Sequence, residues 1–171
     1  MHRFEIAPHL GTGNADIDGQ LRSVFAMAND ILYSAELASS PGLFRGAVTF
    51  LVSYLEYHFA AEELAMIEHG YGSRRFHTAF HDQVRRVAKR VAAGLDGTSS
   101  VEEAQSAIFF MLEDWVEYHV RDADRQLASF LGEQAGPGAP PRLPGIRPLK
   151  AAGTIAPDFD ERILARVAHS A

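Results

Sequence analysis

Three pairs of metal-favouring side chains constrain this chain more than anything else in it: His58 with Glu62, His77 with His81, and His119 with Asp124. They fall on the apolar stripes of three successive stretches with helical periodicity, flanked by Leu55, Phe59, Phe80, Val84, Trp115 and Val116. Residues four apart share one face of an α-helix, so each of the first two pairs converges. Burying imidazoles and carboxylates singly is expensive. The fold must therefore bring these groups together. One such pair alone is commonly a solvated hydrogen bond, but three on consecutive helices predict a shared metal site.

The surrounding pattern is all-α. From about residue 16 to 38, apolar residues recur at Leu21, Val24, Phe25, Ala28, Ile31 and Leu32, with Asp16 or Asp18 as the expected N-cap. A second helix is expected over about 43–68, a third over 74–95 and a fourth over 101–131, ending at Gly132. Short connections between four amphipathic helices predict an up-down-up-down four-helix bundle over residues 1–132. No alternating strand pattern competes with it.

Beyond Gly132 the composition shifts. Residues 133–157 hold six of the eight prolines and read as an extended linker. Residues 158–171 then read as a short amphipathic helix, with Phe159, Ile163 and Val167 every four residues. A helix this short is unstable alone, so it is expected to dock, with a protein partner as one destination.

Composition excludes several functions. The net charge of −6 argues against a nucleic-acid partner, which needs a basic face. No apolar run approaches a membrane span, and the N-terminus lacks the pattern of a signal peptide, so a cytoplasmic location is expected. With no cysteine, any metal must be held by nitrogen and oxygen. Phosphate-loop and dinucleotide motifs are absent.

The third pair poses a geometric problem. Five residues turn a regular helix by about 140°, so His119 and Asp124 share a metal only if the helix is locally distorted or the aspartate reaches across. Asp122, three residues after His119, is the competitor on plain geometry, and spacing alone leaves the choice open.

Four segments carry a resemblance to the bacterial hemerythrins. They are TGNADIDGQL before the first helix, YHFAAEELAMIEHGY on the second, HTAFH on the third and WVEYHVRDADRQL on the fourth, covering roughly residues 10–131. That family is a four-helix bundle whose non-haem diiron centre reversibly binds dioxygen. The resemblance implies two iron ions with a bridging hydroxide or oxo group. It makes His77, His81 and His119 terminal ligands of one iron, Glu62 and Asp124 the bridging carboxylates, and His58 a terminal ligand of the second.

The resemblance also exposes a departure. The family's remaining histidine follows the DxQ of the first helix, and here that position is Leu21. The second iron, where the family binds dioxygen, is left with His58 alone among its imidazoles. Binding of dioxygen or a related small ligand at an altered diiron site is therefore expected to serve oxygen or redox sensing, or iron-dependent redox chemistry, more than carriage. The alternative is a mononuclear or metal-depleted bundle acting as an interaction or signalling module. No substrate-specific acid–base pair is legible; weak peroxidase- or ferroxidase-like activity is the enzymatic rival. Substitutes for the missing ligand are poor. His2 and His9 lie in the irregular N-terminal arm, and His169 in the terminal helix. His69 lies about 16 Å along the axis from His58. Glu63 is rotated about 100° from the face of Glu62.

Overall fold

A computed structural model of the chain describes residues 3–6, 10–97, 99–135 and 143. The elements are α1 (Ala15–Tyr33), α2 (Ala35–Ser39), α3 (Pro41–Glu68), α4 (Arg74–Gly94), α5 (Val101–Trp115), a π-helical stretch (Val116–Asp124) and α6 (Arg125–Ala135). There is no strand among the described residues. α3 packs on α1 and α4, while α5 packs on α4 and α1, which closes the four long helical arms into a bundle. No described helix is long and apolar enough to cross a membrane.

Each arm turns one stripe inward. On α3 the buried positions are Phe44, Val48, Leu51, Leu55, His58, Phe59, Ala61, Glu62, Ala65 and Met66, so His58 and Glu62 occupy core positions within an otherwise apolar ladder. On α4 the buried stripe is His77, His81, Val84, Val87, Ala88 and Val91. The core thus changes character along its length: apolar at one end, imidazole and carboxylate at the other.

The helix boundaries differ from the sequence expectation in three places. The first expected helix breaks at Ser34, whose extended backbone (φ −81°, ψ 112°) ends α1, while its hydroxyl accepts from Leu37 N and starts α2. The N-cap of α1 is Asn14, not Asp16 or Asp18. Its side-chain oxygen accepts from the backbone N–H of Asp16 and Ile17 at 3.0 and 3.2 Å. Asp18 instead accepts two bonds from Thr12, bracing the entry turn, and Asp16 accepts from Leu143 N at 2.9 Å. Finally, the last arm runs through Gly132 to Ala135. A glycine inside a helix costs about 1 kcal/mol against alanine but does not stop it. The expected linker 133–157 and helix 158–171 lie outside the described residues, apart from 133–135 and Leu143.

The N-terminal arm is pinned by one side chain. Phe4 is buried against Phe25 and Phe109, and its backbone exchanges two hydrogen bonds with the Asn29 amide, at 2.9 and 2.7 Å. His2 and His9 lie outside the described residues.

Asn14 is only 3% exposed, so its lost cap bonds could not be replaced by water. Asn14→Ala is expected to lower stability by about 1 kcal/mol, read as a shifted urea midpoint at unchanged slope. A midpoint equal to wild type would contradict the capping role.

Candidate metal centre

The π-helical stretch resolves the spacing problem of the third pair. In a π-helix the i→i+5 hydrogen bonds bring residues five apart onto one face. His119 and Asp124 both lie at 0% exposure, whereas Asp122 is exposed. The wider turn also shifts the register of the helix beyond it. The buried positions run Ala104, Ile108, Met111, Leu112, Trp115 and His119, then resume one residue late at Val120, Asp124, Leu127 and Leu131. That one-residue slip in the apolar pattern is a signal in the sequence that would have identified Asp124 without any relative.

Five side chains from α3, α4 and the π stretch converge: Glu62, His77, His81, His119 and Asp124 each offer a ligand atom within 4.8 Å of all the others. Glu62 Oε2 lies 3.1 Å from Nε2 of both His77 and His81. His81 Nε2 lies 3.1 Å from His119 Nε2. His58 stands beside this set rather than in it, its Nε2 3.7 Å from the other carboxylate oxygen, Glu62 Oε1. Leu21 is fully buried in the apolar core of α1, next to Gln20, whose side-chain oxygen meets His58 Nδ1 at 2.9 Å.

The polar atoms of this cluster test whether a cation suits it. His58 Nε2, Glu62 Oε1 and both Asp124 oxygens are buried with no hydrogen-bond partner. His119 Nε2 is 2.9 Å from Asp124 Oδ1, close but without the alignment of a hydrogen bond. Buried lone pairs normally find a donor. Nitrogen and carboxylate donors facing one point, several of them without a hydrogen-bond partner, suit a first-row metal ion, so the residues fit the group.

Electrostatics point the same way. Burial resists charging of His77, but the Asp124 and Glu62 carboxylates beside it outweigh this and raise it to about 10. Burial pushes the Asp124 carboxyl up, yet the His119 and His77 rings beside it hold it far below the usual carboxylate range. His81 is driven well below the ordinary histidine value, by burial first and then by the neighbouring imidazoles and Arg85, so it stays neutral. The Asp124 carboxylate thus faces a protonated imidazole at His77, while the imidazole of His81 is neutral.

The walls are aromatic. Trp115 lies with its ring centroid 5.7 Å from His58 and 6.2 Å from His119, and Phe59 stacks on His81 at 4.2 Å. Ile108 and Leu112 are buried in the same core. Of the residues weighed as substitute ligands, His69 is exposed at the end of α3 and His169 lies outside the described residues. Glu63 does not join the cluster. It meets the outer edge of His81 instead, at 2.8 Å from Nδ1, a role not anticipated from its position.

A bundle of antiparallel helices with a buried histidine–carboxylate cluster at one end defines a metal-binding helical protein. This chain belongs to the hemerythrin family: the Hemerythrin HHE cation binding domain matches residues 12–131. Among curated relatives, two proteins named Bacteriohemerythrin, from Pseudomonas paraeruginosa (strain PA7) and Pseudomonas aeruginosa (strain LESB58), are each 30% identical over 119 residues. Those matches cover 67% of this chain and 72% of each relative. No solved structure matches significantly.

Because the ligand atoms are organised only in the folded state, metal binding is linked to stability. Zinc at 100 times its dissociation constant is expected to stabilise the protein by about 2.7 kcal/mol, with a matching rise in melting temperature. Glu62→Ala should abolish that rise. A melting temperature indifferent to metal would argue against a cation site.

Proposed function

We propose that this chain binds two iron ions and takes dioxygen, or a related small ligand, on the side of the centre next to His58. Its service is sensing or redox chemistry more than carriage. The observation that carries this reading is the convergence of buried nitrogen and oxygen lone pairs, several without a partner, with Glu62 presenting one oxygen to His77 and His81 and the other to His58. A carboxylate facing two ways is placed to span two ions, and the names of the relatives support the same reading.

Bound iron would supply the electrons for reaction with dioxygen. The protein's own part is to hold, orient and exclude. His77, His81 and His119 would hold one ion, Glu62 and Asp124 would span to the second, and His58 would be that second ion's imidazole. Trp115 and Phe59 keep bulk water from the centre. Leu21 stands where the family places a further histidine, and an aliphatic side chain cannot coordinate. The second ion would therefore be poorer in nitrogen ligands and more open to exchangeable ones. That openness favours fast oxidation over reversible carriage.

A specific observation favours a second reading. Five donors already form a compact set, and His58 lies outside it. A single ion would satisfy that set, leaving the bundle as an interaction or signalling module, with residues 158–171 as the contact for a partner.

Metal analysis with an optical spectrum of anaerobically reduced protein, before and after air, separates these readings. Two irons per chain and a visible charge-transfer band appearing with air are expected. One metal per chain would favour the mononuclear site, and none would sink both. Leu21→His is expected to raise occupancy of the second position and slow oxidation in air. No change in either would mean that position 21 does not face the metals.

A further inference from the structure

A charged network reaches the centre along the seam between α3 and α4. Glu63 Oε1 lies 2.8 Å from His81 Nδ1 and accepts a bond from Arg85 NH1, also at 2.8 Å. Arg85 is fixed in turn by Glu56, at 2.7 Å from its Nε, and by Asp82 at 3.1 Å. Lys89 closes the chain on Glu56 at 2.9 Å. The Arg85 guanidinium also lies 5.2 Å over the Phe59 ring, and that ring stacks on His81, tilted by only 16°. One arginine thus supports both the edge contact and the face contact of a single imidazole.

The other imidazoles are held differently. His77 Nδ1 and His119 Nδ1 are buried without a hydrogen-bond partner, and His58 Nδ1 meets the neutral amide of Gln20. Among the described residues, His81 is the one cluster imidazole whose outer nitrogen backs onto a carboxylate. A carboxylate accepting from Nδ1–H fixes the tautomer and the ring plane, and makes the opposite nitrogen a stronger donor to a metal.

We propose that Glu63, held in place by Arg85, is a positioning residue: it keeps the proton of His81 on Nδ1 and makes His81 Nε2 the strongest nitrogen donor in the centre. This rests on the reading of the cluster as a metal site. It adds that the half holding His77, His81 and His119 is electronically biased toward the more oxidised ion. Glu63 has no place in the coordination shell itself. It acts through the ring it grips.

The full-length chain tests this with Glu63→Gln, which keeps an oxygen acceptor but loses the charge, and Glu63→Leu, which loses both. Zinc, which has no redox chemistry, is loaded first. Nitrogen-15 NMR of the wild type should show His81 protonated on Nδ1, with that proton far downfield and slow to exchange. Zinc affinity, from competition with a chelator, should fall about 10-fold or more in Glu63→Leu, with partial rescue in Glu63→Gln. In iron-loaded protein the midpoint potential should rise in Glu63→Gln and rise further in Glu63→Leu. A merely structural carboxylate would move the melting temperature but neither the tautomer nor the potential. Wild type that binds neither zinc nor iron overturns the metal-site reading and this inference with it. Normal binding by wild type, with tautomer, affinity and potential unchanged in both variants, overturns this inference alone.

Discussion

Five lone-pair-bearing atoms crowded within 4.8 Å in a buried space are the constraint on which the rest of this bundle turns. Apolar packing cannot compensate for such a cluster, since each carboxylate and imidazole gave up water to be there. Without a cation, protons must do the neutralising, and His77 takes that part, held protonated by Glu62 and Asp124. With a cation, the same carboxylates meet positive charge directly. Either way, α3, α4 and the π stretch are held together at this end by electrostatics, whereas packing of Leu51, Val84, Ile108 and similar side chains holds the remainder.

The site is asymmetric in two respects. His81 is clamped by a carboxylate at its edge and an aromatic ring at its face, while His58 has only an amide behind it and a leucine in the next position along α1. The metal-facing atoms differ accordingly. Two imidazole nitrogens meet one oxygen of Glu62, with a third beside them on His119, and a single one faces the other oxygen. The cluster thus has two unlike halves: one crowded with imidazole and braced from behind, one sparse.

Much of the fold and the site is legible in residue spacing, because helical periodicity is a local property. The four arms, the inward faces of His58 with Glu62 and of His77 with His81, and the buried position of Leu21 follow from periods of three and four. Two kinds of feature are harder to read. The break at Ser34 and the cap at Asn14 depend on single backbone conformations, and neighbouring serines and aspartates offer equally good caps. The role of Glu63 depends on the distance between α3 and α4, a tertiary quantity that no one-dimensional pattern contains. Its offset of about 100° from Glu62 removes it from the ligand set, as helical geometry requires. The same offset carries it to the back of a ring on the next helix.

The π stretch has a consequence for how this chain can change. It amounts to one extra residue in an otherwise α-helical arm, and one residue is about 100° of rotation. Trp115 and Ile108 are in phase with His119, while Leu127 and Leu131 are in phase with Asp124. Deleting any one residue between those two ligands would restore a regular α-helix. It would leave both halves of the arm facing the core, because the buried pattern beyond the π stretch runs one residue late. The irregular turn absorbs one residue locally, so neither packed half has to rotate to accommodate it. A histidine and an aspartate five residues apart thus meet as residues four apart do on a regular helix, with the apolar packing on either side undisturbed.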